Sequence, residues 1–161
     1  MDVRIRPHAL AGAVTPPPSK SMAHRLLLAA ALADGVSTVR NVALSQDIEA
    51  TLRCMAALGA SWERTDEGIL RVTGISGKRK SFPELPRFEC GESGSTLRFL
   101  IPIALAVAGG GVFTGRGRLM ERPQKPYFDL FDEKGISYEQ TAGALTVRGT
   151  LDKPTVDGEV Y

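Results

Sequence analysis

The sequence predicts a mixed α/β fold built from two copies of one unit, and four observations carry that prediction. Leu58-Gly59-Ala60-Ser61-Trp62-Glu63 returns as Lys134-Gly135-Ile136-Ser137-Tyr138-Glu139, at offset 76 from glycine to glycine. Ile69-Leu70-Arg71-Val72-Thr73-Gly74 returns as Ala144-Leu145-Thr146-Val147-Arg148-Gly149, at offset 75 from closing glycine to closing glycine. Upstream, Gly35 before Val36-Ser37-Thr38-Val39 is matched at offset 75 by Gly110 before Gly111-Val112-Phe113-Thr114. Arg25 and Arg98, 73 apart, each lead into a hydrophobic run. Near-constant offsets over several features mark an internal repeat.

Each element follows from local chemistry. Met1-Asp2-Val3-Arg4-Ile5-Arg6 alternates like a strand, and the extended segment before each unit is expected to supply one. Ala23 to Ala33 is dense in Leu and Ala, strong helix formers. Val36 to Val42 is rich in residues that favour extended backbone. Gln46 to Leu58 places Ile48, Leu52, Met55 and Leu58 on one helical face, with Ser45 as cap and Gly59 as stop. A hairpin follows, turning at Asp66-Glu67-Gly68. In the second unit, Pro102 falls inside the expected first helix and argues against a straight one, and a helix is expected over Tyr127 to Lys134. The boundaries read as an N-terminal strand and linker over 1–18, a first unit over 19–76, a connection over 77–88, a second unit over 89–150 and the start of a third over 151–161. Lys78-Arg79-Lys80 in the connection reads as a solvated loop.

Composition bounds the function. With 161 residues the chain can bury a real core, and 43% hydrophobic with 24% charged residues is ordinary for a globular protein. Twenty basic against 18 acidic residues leave a charge of +2, which argues against a nucleic-acid surface but not against a local anion site. Cys54 and Cys90 read as reduced, partly buried thiols. The N-terminus lacks the apolar run of a signal peptide, and the most apolar stretch, Phe99 to Phe113, is too short to span a bilayer. A cytoplasmic protein is expected.

Three motifs carry chemistry. In Pro16-Pro17-Pro18-Ser19-Lys20-Ser21-Met22-Ala23-His24-Arg25, the prolines hold the backbone extended before a helix that starts with Lys20 and Ser21. Arg25 lies one turn on from Ser21, so an ammonium, a hydroxyl and a guanidinium meet helix-start amides, a setting for a phosphate or carboxylate. His24, beside Arg25, reads as a helix-surface residue without a role. Cys90-Gly91-Glu92-Ser93-Gly94-Ser95-Thr96-Leu97-Arg98 repeats this arrangement at the second unit, with small residues before a helix and Arg98 in the place of Arg25. Arg116-Gly117-Arg118-Leu119-Met120-Glu121-Arg122-Pro123-Gln124-Lys125-Pro126 is a cation-rich loop before a helix. Arg122 stands at offset 75 from Asp47, a base replacing an acid in one scaffold position, unless it simply pairs with Glu121.

Together these motifs resemble the EPSP synthase family, the 3-phosphoshikimate 1-carboxyvinyltransferases. Ser19-Lys20-Ser21-x-x-x-Arg25 is similar to its N-terminal motif, Glu92 to Arg98 to its Asn-Ala-Gly-Thr-x-x-Arg region, and Glu121-Arg122-Pro123 to its Glu-Arg-Pro loop, with Asp47 where an Asp is expected at a helix start. The resemblance implies an α/β (α+β) fold of βαβαββ units in an inside-out barrel, of which two of the three units of one domain are present. It implies transfer of the enolpyruvyl group of phosphoenolpyruvate to the 5-hydroxyl of shikimate 3-phosphate, with no cofactor and no metal, in aromatic amino acid biosynthesis. By resemblance, Lys20, Ser21 and Arg25 would hold shikimate 3-phosphate, and Lys20, Gly94 and Arg122 phosphoenolpyruvate. Asp47, Ser95 and Arg98 would shape the pocket. Glu92 stands where the family has Asn, and Gln124-Lys125-Pro126 where it often has Ile-Gly, which bears on the response to glyphosate. The family is over twice this length and monomeric, so the fragment is expected to be inactive alone and open to self-association.

Two other readings remain. UDP-N-acetylglucosamine enolpyruvyl transferase shares the fold but calls for Lys-Asn at the first site and a loop cysteine, where this chain has Lys20-Ser21 and none between Gly115 and Pro126. A non-catalytic module binding phosphate ligands or RNA ends would show a basic face with exposed aromatics.

Overall fold

The computed structural model describes residues 3, 4, 7, 9, 11–78 and 80–151. The expected opening strand lies mostly outside these, and the described residues up to Pro18 form no strand. The start of a third unit over 151–161 lies outside them apart from Leu151.

The first unit begins with helix α1, Lys20–Leu32. It starts three residues before the Leu/Ala run because the Ser19 hydroxyl caps it, accepting from the Met22 amide at 3.3 Å. Strand β1, Val36–Arg40, ends two residues early, where Asn41 turns left-handed at φ 58°. Helix α2 covers Gln46–Ala57 and is capped by Ser45, whose hydroxyl accepts from the Ile48 amide. Strands β2, Ser61–Asp66, and β3, Ile69–Thr73, form the expected hairpin. Gly68, at φ 65°, supplies the left-handed turn residue that a side chain would strain.

The second unit repeats this. The strand expected ahead of this unit is β4, Arg87–Glu89; it precedes helix α3, Gly94–Ala108, which Ser93 caps through the Thr96 amide at 3.2 Å. Strand β5 covers Gly110–Thr114, a 3-10 turn Leu119–Glu121, helix α4 Lys125–Lys134, and strands β6 and β7 Ser137–Gln140 and Ala144–Arg148. Helix α4 starts two residues before Tyr127 because Pro126 in its first turn has no amide to satisfy. Despite Pro102, α3 runs unbroken through 15 residues.

The two sheets state the repeat in three dimensions. One has the order β1-β3-β2, all antiparallel; the other has β4-β5-β7-β6, with β4 parallel to β5 and the remaining pairs antiparallel. Thus β5-β7-β6 copies β1-β3-β2. Leu70 and Val72 on β3 point into the core, as Leu145 and Val147 do on β7, and the outer strands β2 and β6 are exposed along their length. One hydrophobic cluster runs through both units, with α1, α2 and α3 packed beside the sheets and Phe88 stacked on Phe113 at 4.9 Å. Both cysteines are buried in it, and hydrogen bonding to Cys90, with burial, pushes the Cys54 thiol far above its usual range. Among the described residues no helix is long and apolar enough to cross a membrane.

Candidate functional site

The three serine-capped helix starts meet, and this places most of the candidate residues. Lys20 opens α1 and Asp47 lies in the first turn of α2; the Lys20 ammonium donates to the Asp47 carboxylate at 2.7 Å. Ser21 and Arg25 stand exposed on α1, and the Arg25 guanidinium bends back to the Ser21 carbonyl at 2.8 Å. The same guanidinium sits over the Phe99 ring of α3, 5.3 Å from its centroid, so a side chain of the second unit steers a cation of the first.

A second corner forms at the start of α3. Gly94 is buried, and a β-carbon there would lie 2.8 Å from Arg122 Nη1 and 3.9 Å from Arg98 Nη1. Both guanidinium groups therefore face the Gly94 backbone. Arg122 does not pair with Glu121, whose carboxylate accepts from Arg118 at 3.0 Å instead. The loop is anchored by Leu119 and Met120, which are buried, and by Gln140, which donates to the Met120 carbonyl at 2.8 Å. Ser95 stands exposed in the first turn of α3. The Glu92 carboxyl lies against the loop backbone, where a β-carbon on Gly117 would be 3.1 Å from its Oε1. Glu92, Asp47, Arg53 and Arg116 also line a cleft of about 310 Å³ between α2 and the 115–118 loop.

Four side chains that the sequence left without a role tie these corners together. His24 is not on the surface: it is 1% exposed, and its Nδ1 is 2.8 Å from the Thr51 hydroxyl of α2. Thr51 is 2.8 Å from the Thr96 hydroxyl of α3, and both hydroxyls lie within donating distance of the Asp47 carbonyl, at 3.2 and 3.3 Å. The Thr96 hydroxyl is also 2.7 Å from the Ser93 cap. His24 Nε2 has no hydrogen-bond partner, and burial holds the imidazole below its usual pKa, so it is neutral. Gln124, 4% exposed, accepts from Arg98 Nε at 3.4 Å and donates to the Arg122 carbonyl at 3.3 Å. An uncharged polar residue between two prolines in a cation-rich loop was the one visible signal for it.

The arrangement puts Lys20 and Arg25 on α1, Arg98 on α3 and Arg122 against the α3 start at Gly94, and cations beside helix-start amides are suited to phosphates and carboxylates. Fold and site together define a repeat-built α/β protein with two neighbouring cationic corners. Residues 5–156 match the model of the EPSP synthase family, 3-phosphoshikimate 1-carboxyvinyltransferase. The 3-phosphoshikimate 1-carboxyvinyltransferase of Clostridium botulinum is 48% identical over 147 residues, and that of Clostridium novyi 43% identical over 164. These alignments cover 90% and 99% of this chain but 34% and 36% of the relatives, so the chain spans about a third of their length. A solved EPSP synthase from Acinetobacter baumannii superposes with a TM-score of 0.72 at 27% identity, over 86% of this chain and 32% of that one. The chain belongs to the EPSP synthase family.

Proposed function

We propose that this chain is the part of a 3-phosphoshikimate 1-carboxyvinyltransferase that opens both substrate sites. The observation that carries this reading is the pairing of two cationic corners, Lys20 with Arg25 and Arg98 with Arg122, on helix starts bound through Asp47, Thr51 and Thr96. Two anionic substrates that must react with each other need two such corners side by side.

Lys20, Ser21 and Arg25 hold shikimate 3-phosphate: the guanidinium and ammonium take anionic oxygens and the Ser21 hydroxyl adds one hydrogen bond. Lys20 also reaches phosphoenolpyruvate, whose phosphate Arg122 takes together with the Gly94 backbone. Arg98 and Asp47 shape this second pocket, and Ser95 adds a hydroxyl at its rim. The reaction joins the 5-hydroxyl oxygen of the acceptor to the central carbon of phosphoenolpyruvate and expels inorganic phosphate. Lys20, between the two anions, lowers the cost of bringing them together. The groups that move protons are expected outside this chain, which on this reading is silent alone and works in the cytoplasm as part of a monomeric enzyme.

The test is a ¹H–¹⁵N titration of the chain with shikimate 3-phosphate, with UDP-N-acetylglucosamine and inorganic phosphate as controls. Saturable shifts at Lys20, Ser21 and Arg25 with the first alone support the reading; equal response to all three reduces it to a general phosphate site.

A further inference from the structure

The buried imidazole of His24 reaches across three helices. Its ring lies between Phe99 and the Thr51–Thr96 pair, with the Phe99 centroid 6.4 Å away. Each of α1, α2 and α3 contributes one buried polar side chain, and the chain of contacts runs from His24 through Thr51 and Thr96 to the Ser93 cap. Buried polar groups are costly unless paired, so such a row acts as a register: helices slid by a fraction of a turn would strand it. What it registers are the helix starts that carry Lys20, Asp47 and Gly94.

From this geometry we infer that His24 is a positioning residue for the acceptor corner, acting as a neutral Nδ1–H donor to Thr51. The proton count supports this tautomer. Each threonine hydroxyl has one proton: Thr96 gives its own to the Ser93 oxygen, so the 2.8 Å bond between the threonines takes the proton of Thr51. With Thr51 donating to Thr96, the bond to His24 needs a proton on Nδ1. The unpartnered, buried Nε2 then carries only a lone pair rather than a stranded N–H. His24 directly precedes Arg25, and Phe99, against which the imidazole rests, is the ring under the Arg25 guanidinium. One imidazole thus sets the height of α1 and the platform of its cation.

This inference rests on the reading of Lys20, Ser21 and Arg25 as the shikimate 3-phosphate site, and its test separates the two. Long-range ¹H–¹⁵N spectra of the chain read the tautomer without any ligand: a protonated Nδ1 is expected, and a protonated Nε2 overturns the proposed bond. In shikimate 3-phosphate titrations, His24→Leu is expected to weaken binding about tenfold, the scale of a sub-ångström misplacement. Its thermal midpoint should barely move, because Thr51 keeps Thr96 and Asp47. His24→Asn, which restores a donor near the Nδ1 position, should bind within about twofold of wild type. Leucine binding like wild type, or asparagine failing with leucine, sinks the positioning role. If His24→Leu does not fold, Thr51→Val removes the acceptor of the same bond and is expected to show the same loss. Wild-type chain that ignores shikimate 3-phosphate overturns the substrate reading instead, while the tautomer still decides the bond.

Discussion

The Tyr127 hydroxyl donates to the Arg98 carbonyl at 2.7 Å, and Arg98 is the residue one turn before Pro102. A proline has no N–H to offer that carbonyl, so a side chain from α4 supplies the missing donor. Helix α3 can therefore pass through Pro102 without breaking, and Arg98 stays in its second turn. Tyr127 stands to Thr51 in the repeat as Gly135 stands to Gly59; each of the two bonds the second helix of its unit to the first.

Tyr127→Phe should therefore cost about 1 kcal/mol of stability. In a Pro102→Ala background, where the backbone regains an N–H for Arg98, the same change should cost measurably less. Urea unfolding of the four proteins forms a double-mutant cycle, and zero coupling would show that the tyrosine and the proline are unrelated.

Asp47 neutralises Lys20 in the unliganded chain, although the two side chains are 57% and 31% exposed in the order Lys20, Asp47. An ion pair this open contributes little, so Asp47→Asn is expected to change stability by less than about 1 kcal/mol. Anion binding should respond more. Losing the carboxylate raises the local positive potential, so inorganic phosphate binds about threefold tighter. The preference for shikimate 3-phosphate over phosphate should fall, because Lys20 is no longer fixed. Calorimetric titration with both ligands measures that ratio, and an unchanged ratio would remove Asp47 from the site.

How much of this was legible depended on the range of the interaction. Strands β3 and β7 were readable because Leu70 and Val72, like Leu145 and Val147, alternate with less buried residues and are followed by glycines in register. The bounds of β4 were not, since Arg87-Phe88-Glu89 is too short to show a period and is held by its parallel pairing with β5. The site residues were placed by motif, but what holds them was not: the partners that tie Thr51 and Gln124 to other helices, His24, Thr96 and Arg98, lie 26 to 45 residues away in sequence. His24 was misread because it precedes the exposed Arg25. Neighbours on a helix point about 100° apart, so exposure of one says nothing about the next.

The burial of His24 makes stability depend on pH. Its folded pKa lies below the ordinary 6.5 because burial disfavours the charged ring; Lys20 and Arg25 on α1 push the same way, and Asp47 on α2 opposes them. Above 6.5 the imidazole is neutral in both states and costs nothing. As the pH falls below 6.5 the unfolded chain takes up a proton that the folded one resists, so stability declines until the folded pKa is passed. His24→Asn should show a shallower decline in urea midpoints over that range; identical slopes would mean that the carboxylates alone set the acid limb.

Gly94 shows where stability and binding part. It is the first residue of α3, and its φ lies outside the left-handed region, so alanine fits the backbone and gains helix propensity of about 1 kcal/mol. The new methyl would meet Arg122 Nη1 at 2.8 Å and must displace it, but that contact is the far end of a flexible side chain and yields cheaply. Gly94→Ala is therefore expected to keep or raise the thermal midpoint while weakening phosphoenolpyruvate binding about tenfold through the displaced guanidinium. Truncating the arginine gives the control. In an Arg122→Ala background the methyl has nothing to push, so the further loss on adding Gly94→Ala should shrink to near zero. A full loss in that background would mean that the methyl blocks the ligand directly and that Arg122 is not the group Gly94 makes room for.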